Sequence, residues 1–154
     1  MIEIIANWPG AVWLQHNWVA YLFVNATHIL GIGLILGAIL PLDLRLLGLF
    51  RTVPVTVIGP FLSRCAGVGV GLAAVTGLWL FSVKPDEYLG NPAFLIKAGL
   101  LVLAVGNVVA QHRMPGFQPA VQGGAVSISV KVFAAVSVVL WLSVLVAGRW
   151  IGFL

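Results

Sequence analysis

Charge is what this sequence has least of. Four acidic and eight basic side chains are spread over 154 residues, so charged residues make up 8% of a chain that is 61% hydrophobic. Soluble domains carry roughly 25% charged residues, and this chain has too few to cover a water-facing surface. Its basic residues stand singly, which excludes a nucleic-acid interface in spite of a net charge of +4. Cysteine occurs once, at Cys65, excluding an internal disulfide and any cysteine-built metal site. Methionine occurs only at Met1 and Met114, both outside the apolar runs, so there is no thioether cluster suited to Cu(I). The start of the chain lacks the basic segment, apolar middle and small-residue cleavage site of a secretory signal. The first apolar run is therefore expected to direct insertion itself.

What is abundant is uninterrupted apolar sequence. Four runs, at about 18–40, 61–83, 93–112 and 127–148, each match the roughly 20 residues that a helix needs to cross a bilayer. They are continuous rather than alternating, which favours helices over the strands of a barrel. The expectation is an all-α fold: a transmembrane four-helix bundle, one integral membrane domain over 1–154, with a short N-terminal interfacial segment. That segment carries Trp8, Trp13 and a Pro-Gly pair, with Trp18 just beyond, as expected at headgroup level. Arg45, Arg51, Arg64, Arg113 and Lys131 fall on one side of such a bundle. Lys84, Lys97 and Arg149 share the other side with Glu3, Asp86 and Glu87. The positive-inside rule then places both termini in the periplasm of a bacterial inner membrane.

Polar residues inside the runs are the candidates for function, because an ionisable group at membrane depth is costly unless it has a task. His28 lies near mid-membrane, and Tyr21, Asn25 and His28 share a helical face. Lys97, Ala104, Asn107 and Gln111 form a stripe on the third run, which is expected to face the interior and to oppose that face. His16 sits at the outer boundary and His112 at the inner end of the third run. Gly33 and Gly37 form a GxxxG expected to mark close helix packing. Gly67, Gly71 and neighbouring small residues on the second run leave room either for another helix or for a flat ligand. Asp43 and Arg45 are two apart and cannot face each other, so Arg64 is the expected partner of Asp43. Asp86 and Glu87 fall in a solvated turn, Asn91-Pro92 reads as the cap and first residue of the third helix, and Ser137 shares a face with Trp141 on the fourth.

Several of these residues form a pattern. His28-x-Leu30-Gly31-x-x-Leu34-x-x-Gly37, then Leu42-Asp43-Leu44-Arg45-Leu46-Leu47-Gly48, then Asn91-Pro92-x-Phe94-x-x-Lys97 with Asn107 and His112-Arg113, resembles a family of small bacterial membrane proteins of unknown function. In outline that family is similar to the copper-resistance D proteins and, more distantly, to HemJ-type protoporphyrinogen oxidases. The resemblance implies haem b on the early histidine, matched here by His28, with Lys97 at the later lysine position. For the copper group it implies copper handling beside a periplasmic partner.

Three functions follow as expectations. The first is a haem-b-binding subunit of a redox or electron-transfer assembly, with His28 as axial ligand and Asn25 or a backbone carbonyl fixing its other ring nitrogen. Gly67 and Gly71 would then lie beside the porphyrin, and Lys97 and His16 near its propionates. The second is a cofactor-free scaffold or accessory subunit, in which Asn25, His28, Asn107 and Gln111 form a hydrogen-bond network fixing helix register. The third is copper transport or delivery through His16 and His28. In each case the partners are the bilayer and a membrane or periplasmic protein, or a second copy of the chain. No catalytic group is identified, and an electron-transfer or non-catalytic role is expected rather than an enzyme.

Overall fold

A computed structural model describes residues 2–153. Within them every regular element is helical: α1 Ile2–Ala6, α2 Pro9–His16, α3 Trp18–Leu46, α4 Val55–Val83, α5 Pro85–Leu89, α6 Pro92–Arg113, α7 Phe117–Val121 and α8 Ile128–Trp150, followed by a 3-10 turn at Ile151–Phe153. Helices α3, α4, α6 and α8 are each long and apolar enough to cross a membrane. Met1 and Leu154 lie outside the described residues.

Helix ends follow from local chemistry. The side chain of Asn17 accepts from the amide of Ala20 and starts α3, and Asn91 Oδ1 accepts from the amides of Ala93 (2.9 Å) and Phe94 (3.3 Å), the cap expected for α6. Two ends differ from the expected bounds. Helix α3 runs through Pro41 to Leu46, and α4 begins at Val55 with Pro60 inside it. Proline removes one backbone donor without forbidding a helix whose far side is packed. Leu42 and Leu46 beyond Pro41, and Val55 before Pro60, are buried together with Phe117, Ala120, Val130 and Ala134. That core holds both helix ends in place. Gly48, at φ +102°, then ends α3 in a left-handed turn, and Arg45 Nε donates to the Val53 carbonyl at 2.8 Å to tie the connection.

The four long helices do not pack evenly. α3 lies along α4, α6 lies along α8, and α3 meets α8, while α4 and α6 part along most of their length and meet where Phe81 stacks on Phe94, centroids 5.6 Å apart. The closeness of α3 and α4 has a specific cause. A Cβ on Gly31 would stand 2.8 Å from the Ala73 amide, and one on Gly69 would stand 2.8 Å from the Gly31 carbonyl. The backbones touch where neither residue has a side chain. Gly33 and Gly37, expected to serve this role, meet nothing within 4 Å. The parted edges of α4 and α6 leave a cleft floored by α3 and α8. Helix α7 closes one end of it through Phe117, and α1, α2 and α5 gather at the opposite end.

Candidate binding site

Two polar regions lie between the helices, about 22 Å apart along α3 at the rise of an α-helix. The first is built on His28. Its Nδ1 is 3.1 Å from Thr76 Oγ1, and the Thr76 hydroxyl donates its single proton to the Leu72 carbonyl. Thr76 can therefore only accept from the histidine, so Nδ1 carries the proton and Nε2 is the free base. The ring fits because residue 77 is glycine: a Cβ there would stand 2.9 Å from His28 Cε1. Asn25, expected to orient this ring, is exposed instead, and Thr76 does that work.

The other expected site residues disperse. His16 is exposed and donates from Nδ1 to the Val12 carbonyl of its own helix at 2.8 Å. Lys97 is the exception: half-buried, with its alkyl stem over Gly148 of α8, it stands near enough to His28 for their charges to interact, as expected of a stripe opposing that face. Asn107 donates to the Phe133 carbonyl at 3.1 Å, tying α6 to α8. Gly71 is exposed and a Cβ on it would meet no atom. No group of three or more His, Cys, Asp or Glu side chains able to hold a metal ion occurs among the described residues.

The second region is a cavity of about 460 Å³ at the α7 end. Its walls are Leu62, Ala66, Gly67 and Val70 of α4 facing Val105, Val108 and Val109 of α6. Phe117 closes one end, and His112 and Arg113, both exposed, stand at the edge. On the floor lie Asp43 of α3, Gln111 of α6, and Ser137 and Trp141 of α8. Their exposures are 3%, 3%, 0% and 3%. Asp43 Oδ2, Gln111 Nε2, Ser137 Oγ and Trp141 Nε1 are all buried without a hydrogen-bond partner among the described residues.

The expected pairing of Asp43 with Arg64 does not form. Arg64 is exposed, whereas the Asp43 carboxyl turns inward toward the Ser137 hydroxyl and the Gln111 amide, near both without Oδ2 reaching hydrogen-bond distance of either. Among the described residues the ion pair present is Lys84 Nζ to Glu87 Oε1 at 2.8 Å, at the other end of the bundle. Leaving a polar group buried and unpaired costs about 1–3 kcal/mol, so four of them on one cavity wall is a cost that needs a reason. Three of the four were visible in the sequence as helix-face neighbours, Gln111 in the α6 stripe and Ser137 with Trp141. The fourth, Asp43, lies past Pro41 and was expected to meet Arg64; only with α3 continuing through Pro41 does it turn to Ser137 and Gln111 instead. The floor also explains Gly67: a Cβ there meets nothing, and the residue borders the open space above these groups.

Chemically the cavity offers three donors and a carboxyl to a guest otherwise surrounded by hydrocarbon. Comparison with curated proteins and with solved structures gave no match. The likeness to the copper-resistance D and HemJ-type groups thus rests on the sequence motifs alone. By its match over residues 9–154, the chain belongs to a family of unknown function, DUF6644.

Proposed function

We propose that this chain is an integral membrane protein that holds a lipid-soluble small molecule in the cavity at its α7 end. The molecule enters between α4 and α6 and rests its polar end on Asp43, Gln111, Ser137 and Trp141. The observation that carries this reading is the convergence of four buried, unpartnered polar atoms on one apolar-walled cavity. Its volume falls within the roughly 300–1,000 Å³ usual for small-molecule sites, and such sites are apolar with a few placed polar groups. Basic residues concentrate near the α7 end, which supports a reading with the cavity in the cytoplasmic half of a bacterial inner membrane and the termini in the periplasm. The test is solvent extraction and mass spectrometry of detergent-purified protein. Wild type is expected to retain a small molecule in near-stoichiometric amount, and Gly67→Phe, which fills the cavity from α4, to lose it. Equal content in both proteins would end this reading.

One observation favours a second reading, haem b ligated by His28. The Thr76 bond leaves Nε2 as the free base, which is the tautomer an axial ligand needs. The residues fit one axial bond: His16 and His112 belong to the two ends of the bundle, far in depth from His28. When bound, such a group would supply one-electron chemistry. A Soret band in the purified protein that His28→Ala abolishes and Thr76→Val weakens would support this reading, and a colourless protein would remove it. Copper delivery through His16 and His28 would require a relay, since twelve residues of helix separate them by about 18 Å. The scaffold reading draws support from Asn107, whose side chain joins α6 to α8.

A further inference from the structure

The floor of the cavity narrows the class of ligand, given the binding reading above. Trp141 Nε1 can only donate, and Gln111 Nε2 can only donate. Ser137 Oγ can donate or accept. Asp43 Oδ2 accepts when ionised and donates when protonated. Neither Arg113 nor His112 forms an ion pair with Asp43, so no cation among the described residues satisfies it.

Three classes of polar end can be set against this floor. A cationic amine would satisfy Asp43 but bring more donors up to Trp141 and Gln111, leaving both unpaired. An anion would satisfy those donors but be repelled whenever Asp43 is ionised, in a medium where charges are poorly screened. A ring bearing oxygen that can be either carbonyl or hydroxyl satisfies the Trp141 and Gln111 donors in both forms and Asp43 as well in its reduced form. Its carbonyl oxygen accepts from Trp141 and Gln111. In the reduced form the hydroxyl accepts from the same donors and gives its proton as a hydrogen bond to Asp43.

The walls agree with a flat ring on an apolar tail. Val70 of α4 and Val105, Val108 and Val109 of α6 face each other across the space, with Phe117 at its end. Because α4 and α6 part along most of their length, a chain attached to the ring has a lateral way out into hydrocarbon. The geometry points to the head of a lipid-soluble quinone and its hydroquinone as the guest of the Asp43–Gln111–Ser137–Trp141 floor.

The test uses the full chain in detergent, titrated calorimetrically with decylubiquinone, oxidised and reduced, and with decyltrimethylammonium and decanoate as cationic and anionic controls. Four variants accompany wild type. Gly67→Phe fills the cavity, and Gly71→Phe, one turn away and equally free of contacts, does not line it. Trp141→Phe removes a donor, and Asp43→Asn removes the proton acceptor. Wild type and Gly71→Phe are expected to bind both quinone forms with one site, and Gly67→Phe to lose at least tenfold in affinity. Trp141→Phe should weaken both forms about fivefold. Asp43→Asn should weaken the reduced form more than the oxidised one.

Saturable binding of decyltrimethylammonium or decanoate, blocked by Gly67→Phe, without quinone binding would overturn the ligand class and leave the binding site standing. Quinone uptake equal in wild type and Gly67→Phe would be partition into detergent and would overturn the proposal. If no probe binds and extraction finds no retained molecule, the site reading falls with it. The paired glycine variants decide the matter even if Trp141→Phe or Asp43→Asn fails to fold, because neither glycine substitution meets another atom at Cβ.

Discussion

The two ends of this bundle use the same kinds of polar side chain in opposite ways. At the α1/α2 end the groups that join the N-terminal helices to α4 find partners. Trp8 Nε1 donates to Ser82 Oγ at 3.0 Å, Trp79 Nε1 donates to the Gly10 carbonyl at 3.0 Å, and Gln15 reaches the Val83 carbonyl at 3.0 Å. Trp79 also stacks against Trp13 with centroids 6.1 Å apart. At the α7 end a tryptophan, a serine, a glutamine and an aspartate lie deeper, at 3% exposure or less, and each leaves a polar atom without a hydrogen bond among the described residues. Residue type does not explain the difference. Packing does: the N-terminal helices are folded down onto α4 to complete one end, whereas α4 and α6 part at the other. The completed end closes on itself, and the incomplete one leaves the open space in which the proposed ligand would sit.

The strongest test of that contrast compares two glycines on α4 two residues apart. Gly69→Val should prevent the close approach of α3 and α4, because its Cβ alone would lie 2.8 Å from the Gly31 carbonyl. A loss of about 3 kcal/mol, or failure to accumulate folded protein, is expected from overpacking at backbone contact. Gly67→Phe adds far more volume and should leave thermal stability in detergent unchanged or higher, since it enters open space and removes a helical glycine. If the two variants melt alike, the cleft between α4 and α6 is not where it is described.

Next in size is the carboxylate. Asp43→Leu replaces an unpaired buried group by an apolar one of similar size, so the ligand-free protein should gain about 1–3 kcal/mol. A loss of stability would mean that Asp43 has a partner after all, and the contrast between the two ends would collapse. The paired serines come third. Ser82→Ala strips the acceptor from Trp8 and should cost about 1 kcal/mol, while Ser137→Ala should be neutral or slightly stabilising, both read from thermal melts. Equal effects would show that Ser137 is satisfied.

How much of this was legible in advance depends on the kind of information each feature needs. Run length and hydropathy are local, so four long helices, the tryptophan-rich start and the Asn91 cap could be read directly. Which face of each helix turns inward could not be. All the faces are apolar, and periodicity loses its meaning when there is no polar side to contrast. Gly33 and Gly37 were therefore as good candidates for close packing as Gly31 and Gly69, and Asn25 as good a neighbour for His28 as Thr76. His28 drew attention because it is mid-run, yet its bond to Thr76 is the same kind of satisfied contact found at the tryptophans. Asp43 was legible as an oddity and not as a site. Its neighbours Gln111 and Ser137 arrive from α6 and α8, and only the continuation of α3 through Pro41 brings it to them.

The smallest expected effect concerns the one ion pair described. Lys84 and Glu87 meet at 2.8 Å in water at the start of α5, and the hydrogen bond and charge of Glu87 raise the lysine above its ordinary value. A raised folded-state value means that the contribution is fully present below the unfolded lysine range and fades as pH climbs through the folded one. At neutral pH the pair is intact, yet solvent screens it and two flexible side chains must be held in place. Lys84→Met should therefore leave the melting curve at pH 7 unchanged within error, in low salt and high. Raising the pH to 11 should remove any residual difference between the variant and wild type. A marked loss at pH 7 would mean that Lys84 supports the α1/α2 end beyond its visible pair. It would also mean that the completed end depends on charge rather than on the indole hydrogen bonds and close packing that distinguish it from the cavity.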